Sequence, residues 1–235
     1  NLNTTDPDKS YIRRILSWDL YETAGVPGSM SFMMRLEQNG SFWGVSTFVE
    51  QPDEDLLKRE PLLDDDGALY KMFNETTNAT SGVEKKTRRH ENNSDLHALV
   101  NGISPNSPSR NTYLWDNVDI PGAINFMAAS RIMHENDDQA KNYYLFRNTT
   151  TTGEWTFVPW DKDLTWGRNY TRQGSIFESL YNDTIWADND TTRPFPGSAN
   201  ASPSHPLFGD SSHTKNDGPW CRLSDTIIDN PVTRR

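Results

Sequence analysis

Two short runs of aromatic and apolar residues, NYYLFR at 142–147 and WTFVPW at 155–160, flank a break of four threonines and Gly153. Runs of this composition around a polar, glycine-containing break fold as a β-hairpin. This constrains the chain more than any other feature, because it fixes which distant residues must meet. The midpoint between Asn142 and Asp161 falls inside the break, so the pairing predicts that these two face each other across the open end of the hairpin. Two hard oxygen ligands then converge, with Asp163 close behind.

Asp137 stands five residues before Asn142, and Gly167 follows the acidic pair. Phosphoryl transfer in protein kinases uses such a set: an Asp that accepts the substrate hydroxyl proton, an Asn at +5, and, beyond a strand pair, an Asp that holds magnesium against the phosphates. Asp137 is therefore the candidate base, with the adjacent Asp138 as the alternative. Asn142, Asp161 and Asp163 are the candidate metal ligands, although Asp161 could instead cap the turn after Trp160. Carboxylate, amide and water oxygens suit magnesium, or manganese, better than zinc. Lys141 is placed to reach a transferring phosphate, or else is an exposed lysine at a strand edge. Lys162 is expected to point away from the acids on either side of it, since successive side chains alternate. His134 either orients the loop or fills the core.

Other chemistries fit less well. Five histidines and one cysteine show no paired zinc-ligand spacing, and neither a Gly-x-Ser-x-Gly elbow nor a Walker-type lysine loop occurs. A glycosidase built on Asp137 and Asp161 would leave Asn142 and its spacing unexplained.

The rest of the chain reads as an α+β protein. Asp8 or Ser10 caps a first helix in which Tyr11, Ile12, Ile15, Leu16 and Leu20 recur at helical spacing until Gly25 and Pro27. Strands over 30–36 and 42–49 flank an Asn39-Gly40 turn, and a second helix starts near Asp53. Glu50 and Gln51 follow the second strand, where they either offer groups to a nucleotide base or form a solvated loop. Residues 74–110 read as a variable polar loop with a short helix. A third helix over 121–134 places Ile124, Met127, Ala128 and Ile132 toward the core. Residues 181–220 form a long polar insertion, and 223–228 a short helix.

The wording around these residues is more specific than their spacing. KNYYLFRN, GEWTFVPWDKDLTWG, YIRRILSWDLYETAGV, NGSFWGVSTFVEQPDEDLLKRE and GALYK resemble, in order, segments of the CotH kinase family, the spore-coat-protein-H-like atypical kinases. The resemblance implies an atypical protein-kinase-like bilobal fold with a partial N-lobe at 1–51 and a C-lobe at 52–235. It further implies ATP and magnesium or manganese, and a protein substrate with Ser or Thr hydroxyls. It implies too a fragment that lacks the phosphate-covering strands, so no nucleotide-anchoring lysine is named. The competing expectation is a non-catalytic coat, surface or adhesion protein on the same scaffold.

Charge and glycosylation signals bound the setting. A net charge of −10 argues against a nucleic-acid partner, and no apolar run is long enough to span a bilayer. Ten Asn-x-Ser/Thr sequons, at Asn3, Asn39, Asn74, Asn78, Asn92, Asn148, Asn169, Asn182, Asn189 and Asn200, either mark a glycoprotein or follow from Asn/Thr-rich loops. An extracellular, cell-surface or secretory-pathway location is the expectation. Cys221, the single cysteine, excludes an intrachain disulfide. Oligomeric state is not encoded in any feature of the sequence.

Overall fold

A computed structural model describes residues 2–3, 8, 10–133, 135, 141–166, 168–170, 176–178 and 221–233. Its elements run β1 (Leu2–Asn3), α1 (Arg13–Thr23), β2 (Ser31–Gln38), β3 (Ser41–Val49), α2 (Glu54–Arg59), β4 (Ala68–Met72), β5 (Val83–Lys85), α3 (Ser94–Gly102) and α4 (Arg110–Asn117). They continue with α5 (Ile120–Ile132), β6 (Tyr143–Arg147), β7 (Trp155–Pro159), β8 (Arg168–Tyr170), β9 (Ile176–Glu178) and α6 (Arg222–Asp229). Mixed helices and antiparallel sheets make the α+β class expected from the sequence.

The β2–β3 hairpin turns at Asn39 and Gly40, whose φ values of 52° and 79° are the left-handed pair a tight hairpin turn requires. β1 pairs with β3 to complete a three-stranded sheet. The chain then enters α2 through Asp53, whose carboxylate accepts the Asp55 N–H and caps the helix.

A four-stranded sheet in the order β5-β4-β6-β7 forms the centre. Strands β6 and β7 are covered on both faces, which explains why their sequences are almost continuously apolar instead of alternating. One face, with Tyr70, Met72, Tyr143, Leu145, Trp155 and Phe157, packs against helical residues such as Tyr21, Leu96, Phe126 and Ile227. The other, with Leu69, Tyr144, Phe146 and Val158, packs against Leu56 and Leu57 of α2. β4 can approach β6 only because Gly67 has no side chain: a Cβ there would lie 2.1 Å from the Phe146 ring.

Aromatic contacts tie α1 to the sheet through α5. Tyr21 stacks on Phe126 at 5.6 Å, Phe126 on Phe157 at 4.5 Å, and Phe157 meets Tyr143 edge-on at 5.6 Å. The start of α5 is fixed to β7 by the Asp119 N–H to Trp155 carbonyl bond of 3.0 Å, while the Asp119 carboxylate caps Gly122 N–H.

Three sequence expectations need correction. α1 buries its aliphatic stripe only in part: Ile12 and Leu16 are exposed, Ile15 and Leu20 half-buried, and Arg14, Ser17, Trp18 and Tyr21 face inward. The Tyr21 stack and polar partners deeper in the fold select that face. α5 is likewise rotated, with Ile124, Ala128 and Ile132 exposed and only Met127 of the expected four buried. Its small residues Ala123, Ala129 and Ser130 allow close packing, and Ser130 Oγ meets Tyr21 Oη at 2.7 Å. Residues 74–110 carry the expected short helix, α3, but are more ordered than a variable loop elsewhere, because they also supply edge strand β5, and Thr76 is buried against Tyr143 and Cys221. Cys221 is a buried free thiol, and no helix among the described residues is long and apolar enough to cross a membrane.

Candidate active site at the open end of the buried hairpin

The β6–β7 register pairs Tyr143 with Pro159 and Arg147 with Trp155. This moves the expected pairing by one residue: Trp160, not Asp161, stands opposite Asn142 and donates its N–H to the Asn142 carbonyl at 3.1 Å. Asn142 and Asp161 then leave the ladder together, both in the left-handed region with φ of 64° and 55°. The strands stop there because neither residue keeps an extended backbone.

Lys162 fastens this end. Its side chain points away from the acids on either side, as expected, but into the core, where it is fully buried. Its ammonium lies 3.2 Å from the equally buried Glu135 carboxylate, donates to the Asn142 carbonyl at 3.2 Å, and sits 6.0 Å from the centre of the Tyr21 ring. A buried ion pair of this kind repays its desolvation only through good geometry and further hydrogen bonds. Here it joins the chain after α5, the start of β6 and the end of β7 at one point.

The acidic turn is also clamped to α1. Thr165 Oγ1 bonds the Lys162 carbonyl at 3.1 Å and Ser17 Oγ at 3.0 Å, and Trp166 Nε1 donates to Ser17 Oγ at 3.1 Å. Trp166 N–H donates to the Met133 carbonyl at 2.6 Å. Arg14, itself buried, directs its guanidinium at both acids: 3.0 Å to Asp163 and 3.7 Å to Asp161. Asp163 is mostly covered, whereas the Asp161 side chain keeps 40% of its exposure. The charge of Arg14 offsets the repulsion between two neighbouring carboxylates.

The other candidates fall at different distances from this point. Asp137, Asp138 and His134 lie outside the described residues. Lys141 is exposed two residues before β6. The Glu50 carboxylate is taken up by Arg59 at 2.7 Å and by the Met30 N–H at 2.9 Å, and its own N–H by the Met30 carbonyl. Gln51 reaches the sheet, donating from Nε2 to Tyr144 Oη at 3.2 Å. Burial, then the carboxylates of Glu84, Asp53 and Asp161, hold the Tyr144 hydroxyl well above its usual range. Tyr144 therefore sits within electrostatic reach of the acidic turn.

Among the described residues, no group of three or more His, Cys, Asp or Glu side chains converges on one point. Magnesium characteristically takes one or two carboxylates and fills its octahedron with water and phosphate oxygens. Asp161, Asp163 and the Asn142 amide are hard oxygen donors that fit that pattern.

Comparison with protein families matches the whole chain, residues 1–235, to the family described as "CotH kinase protein". The chain belongs to the CotH kinase family. A relative in that comparison of sequences, inner spore coat protein H of Bacillus subtilis (strain 168), is 27% identical over 182 residues, covering 72% of this chain and 50% of its own length. The chain thus spans about half the length of the curated relative it matches.

Sequence reasoning missed Arg14, Ser17, Glu135 and the anchoring role of Lys162. A signal existed for the first two: Arg14, Ser17, Trp18 and Tyr21 also recur at helical spacing, and a face that mixes two large aromatics with one cation is better suited to a site than to solvent. Nothing local marks Glu135 as the partner of Lys162.

Proposed function

We propose that this CotH-family chain is a phosphotransferase of the protein-kinase kind, moving the γ-phosphate of ATP to a Ser or Thr hydroxyl of a coat or surface protein. The observation that supports it most is the exposed Asp161 carboxylate, held with Asn142 and Asp163 at the end of a fully buried hairpin by the Lys162–Glu135 pair. Electrostatic stabilisation in such reactions depends on groups fixed before the reaction starts. Asn142, Asp161 and Asp163 would hold magnesium or manganese, which supplies charge neutralisation at the phosphates. Asp137 would orient the substrate hydroxyl and take its proton as the oxygen attacks the γ-phosphorus and ADP leaves. Lys141 would approach the transferring group, and the Glu50–Gln51 link would border the base. The name of the relative, an inner spore coat protein, supports a coat setting.

A second reading is favoured by Arg14. A guanidinium already paired with both acids also suits a non-catalytic scaffold whose acidic turn is purely structural. Calorimetric titration of ATP with Mg²⁺ into the wild type and Asp161→Ala separates the two. Metal-dependent binding that is lost in Asp161→Ala is the expected result. ATP binding indifferent to both metal and Asp161, or no binding, favours the scaffold.

A further inference from the structure

We propose that Lys71 anchors a phosphoanion, the polyphosphate of a nucleotide, on the face of the central sheet that ends at Asp161. The register sets the place: Lys71 pairs with Tyr144, and Tyr144 with Val158, so Lys71 stands on the face shared with Tyr144. Trp160 and Asp161 continue β7 from there, and Gln51 is bonded to Tyr144 Oη.

The Lys71 ammonium hangs over aromatic rings, 4.9 Å from the centre of Phe73, 5.4 Å from Trp160 and 6.0 Å from Tyr144. Among the described residues, no acceptor lies within hydrogen-bonding or ion-pair distance of it. A partner was at hand, since Glu84 faces Lys71 across the β4–β5 ladder, but the Glu84 carboxylate is bound by Lys86 at 2.9 Å. A half-buried cation over rings, with no hydrogen-bonded acid among the described residues, has donors to offer an incoming anion. Phe73 is 51% exposed beside it and Trp160 partly so, which provides flat apolar surface next to the charge. A ligand combining a planar ring with several negative charges matches both features.

That the anion belongs to a nucleotide rests on the function proposed above; that Lys71 binds phosphate does not. The probe is therefore inorganic tripolyphosphate as well as ATP with Mg²⁺, titrated by calorimetry into the wild type, Lys71→Met and Lys71→Arg. Lys71→Met keeps the aliphatic stem on the rings, and an unchanged thermal midpoint verifies its fold. Expected are tripolyphosphate binding that weakens as salt rises, an affinity loss of about tenfold to hundredfold in Lys71→Met, and retention in Lys71→Arg. Tripolyphosphate binding that is absent in the wild type, or equal in the wild type and Lys71→Met, overturns the inference even if ATP binds. Tripolyphosphate binding through Lys71 without binding of ATP and Mg²⁺ upholds the anion site and defeats the kinase reading.

Discussion

Two of the protein's antiparallel hairpins, β6–β7 and β2–β3, are of nearly opposite character. β6–β7 is buried on both faces, and every residue from Tyr143 to Phe146 and from Trp155 to Pro159 is covered. β2–β3 belongs to a sheet of three strands and leaves Phe32, Met33, Phe42, Trp43 and Val45 exposed, with Trp43 at 68%. The candidate metal ligands Asn142 and Asp161 sit on the end of the first. A side chain at the end of a strand can be held to the tolerance phosphoryl transfer demands only if the strand itself has no freedom, and burial on both faces removes it. The second hairpin presents its aromatic residues to solvent and carries none of the described candidate metal ligands. The difference separates a rigid support from an adaptable surface within one chain.

The sharpest way to break this contrast is to hollow the rigid hairpin. Phe157 stacks on Phe126 and meets Tyr143, so Phe157→Ala should cost about 4 kcal/mol. For a chain of this size that lowers the thermal midpoint by roughly 10 °C, measurable by calorimetry. A loss under about 1 kcal/mol would mean that the central sheet is not the rigid support described. Next comes Lys162→Met, which strands the Glu135 carboxylate in the core and should cost about 3 kcal/mol. Adding Glu135→Leu should restore much of that loss, because an apolar pair replaces a desolvated charge. A double-mutant cycle by urea unfolding measures the coupling, and additive single effects would show that the two side chains do not act as a pair.

Much of the hairpin was legible because its signals are local. Four threonines and a glycine at φ 77° mark the turn, and aromatic runs mark the strands. The register was missed by one residue, since Asn142 and Asp161 turn out of the ladder together and a count from the midpoint treats them as extended. The helix faces were misread for another reason. Counting aliphatic residues ranks Ile12, Leu16, Ile124 and Ile132 as core, whereas the buried faces were selected by contacts across more than a hundred residues of sequence, such as Tyr21 with Ser130 and Arg14 with Asp163. The Lys162–Glu135 pair is beyond single-sequence reach for the same reason: alternation gave the direction of Lys162, and only the assembled fold supplied an acid to meet it.

Smaller effects test whether the acidic turn depends on α1. Asp8 accepts hydrogen bonds from the Ser10 and Arg13 backbone N–H groups, at 3.0 Å each, and an ion pair from Arg13 at 2.8 Å. Burial alone would raise its carboxyl, but the bonds from Ser10 and Arg13 outweigh it and hold the group below its ordinary 3.8. With the folded value depressed, the unfolded chain binds the proton more readily, so the contribution is complete above about pH 4 and disappears as pH falls through the lower folded value. Asp8→Ala should cost about 1 kcal/mol at neutral pH and flatten the acid limb of the stability curve. An unchanged acid limb would show that Asp8 does not hold the start of α1. The least expected change is Trp43→Ser on the exposed hairpin, within about 0.5 kcal/mol of wild type. Trp43 projects into solvent near the hairpin tip, so its removal opens no cavity. A loss near that of Phe157→Ala, read in the same calorimeter, would mean that the exposed hairpin is as tightly supported as the buried one and that the contrast between them fails.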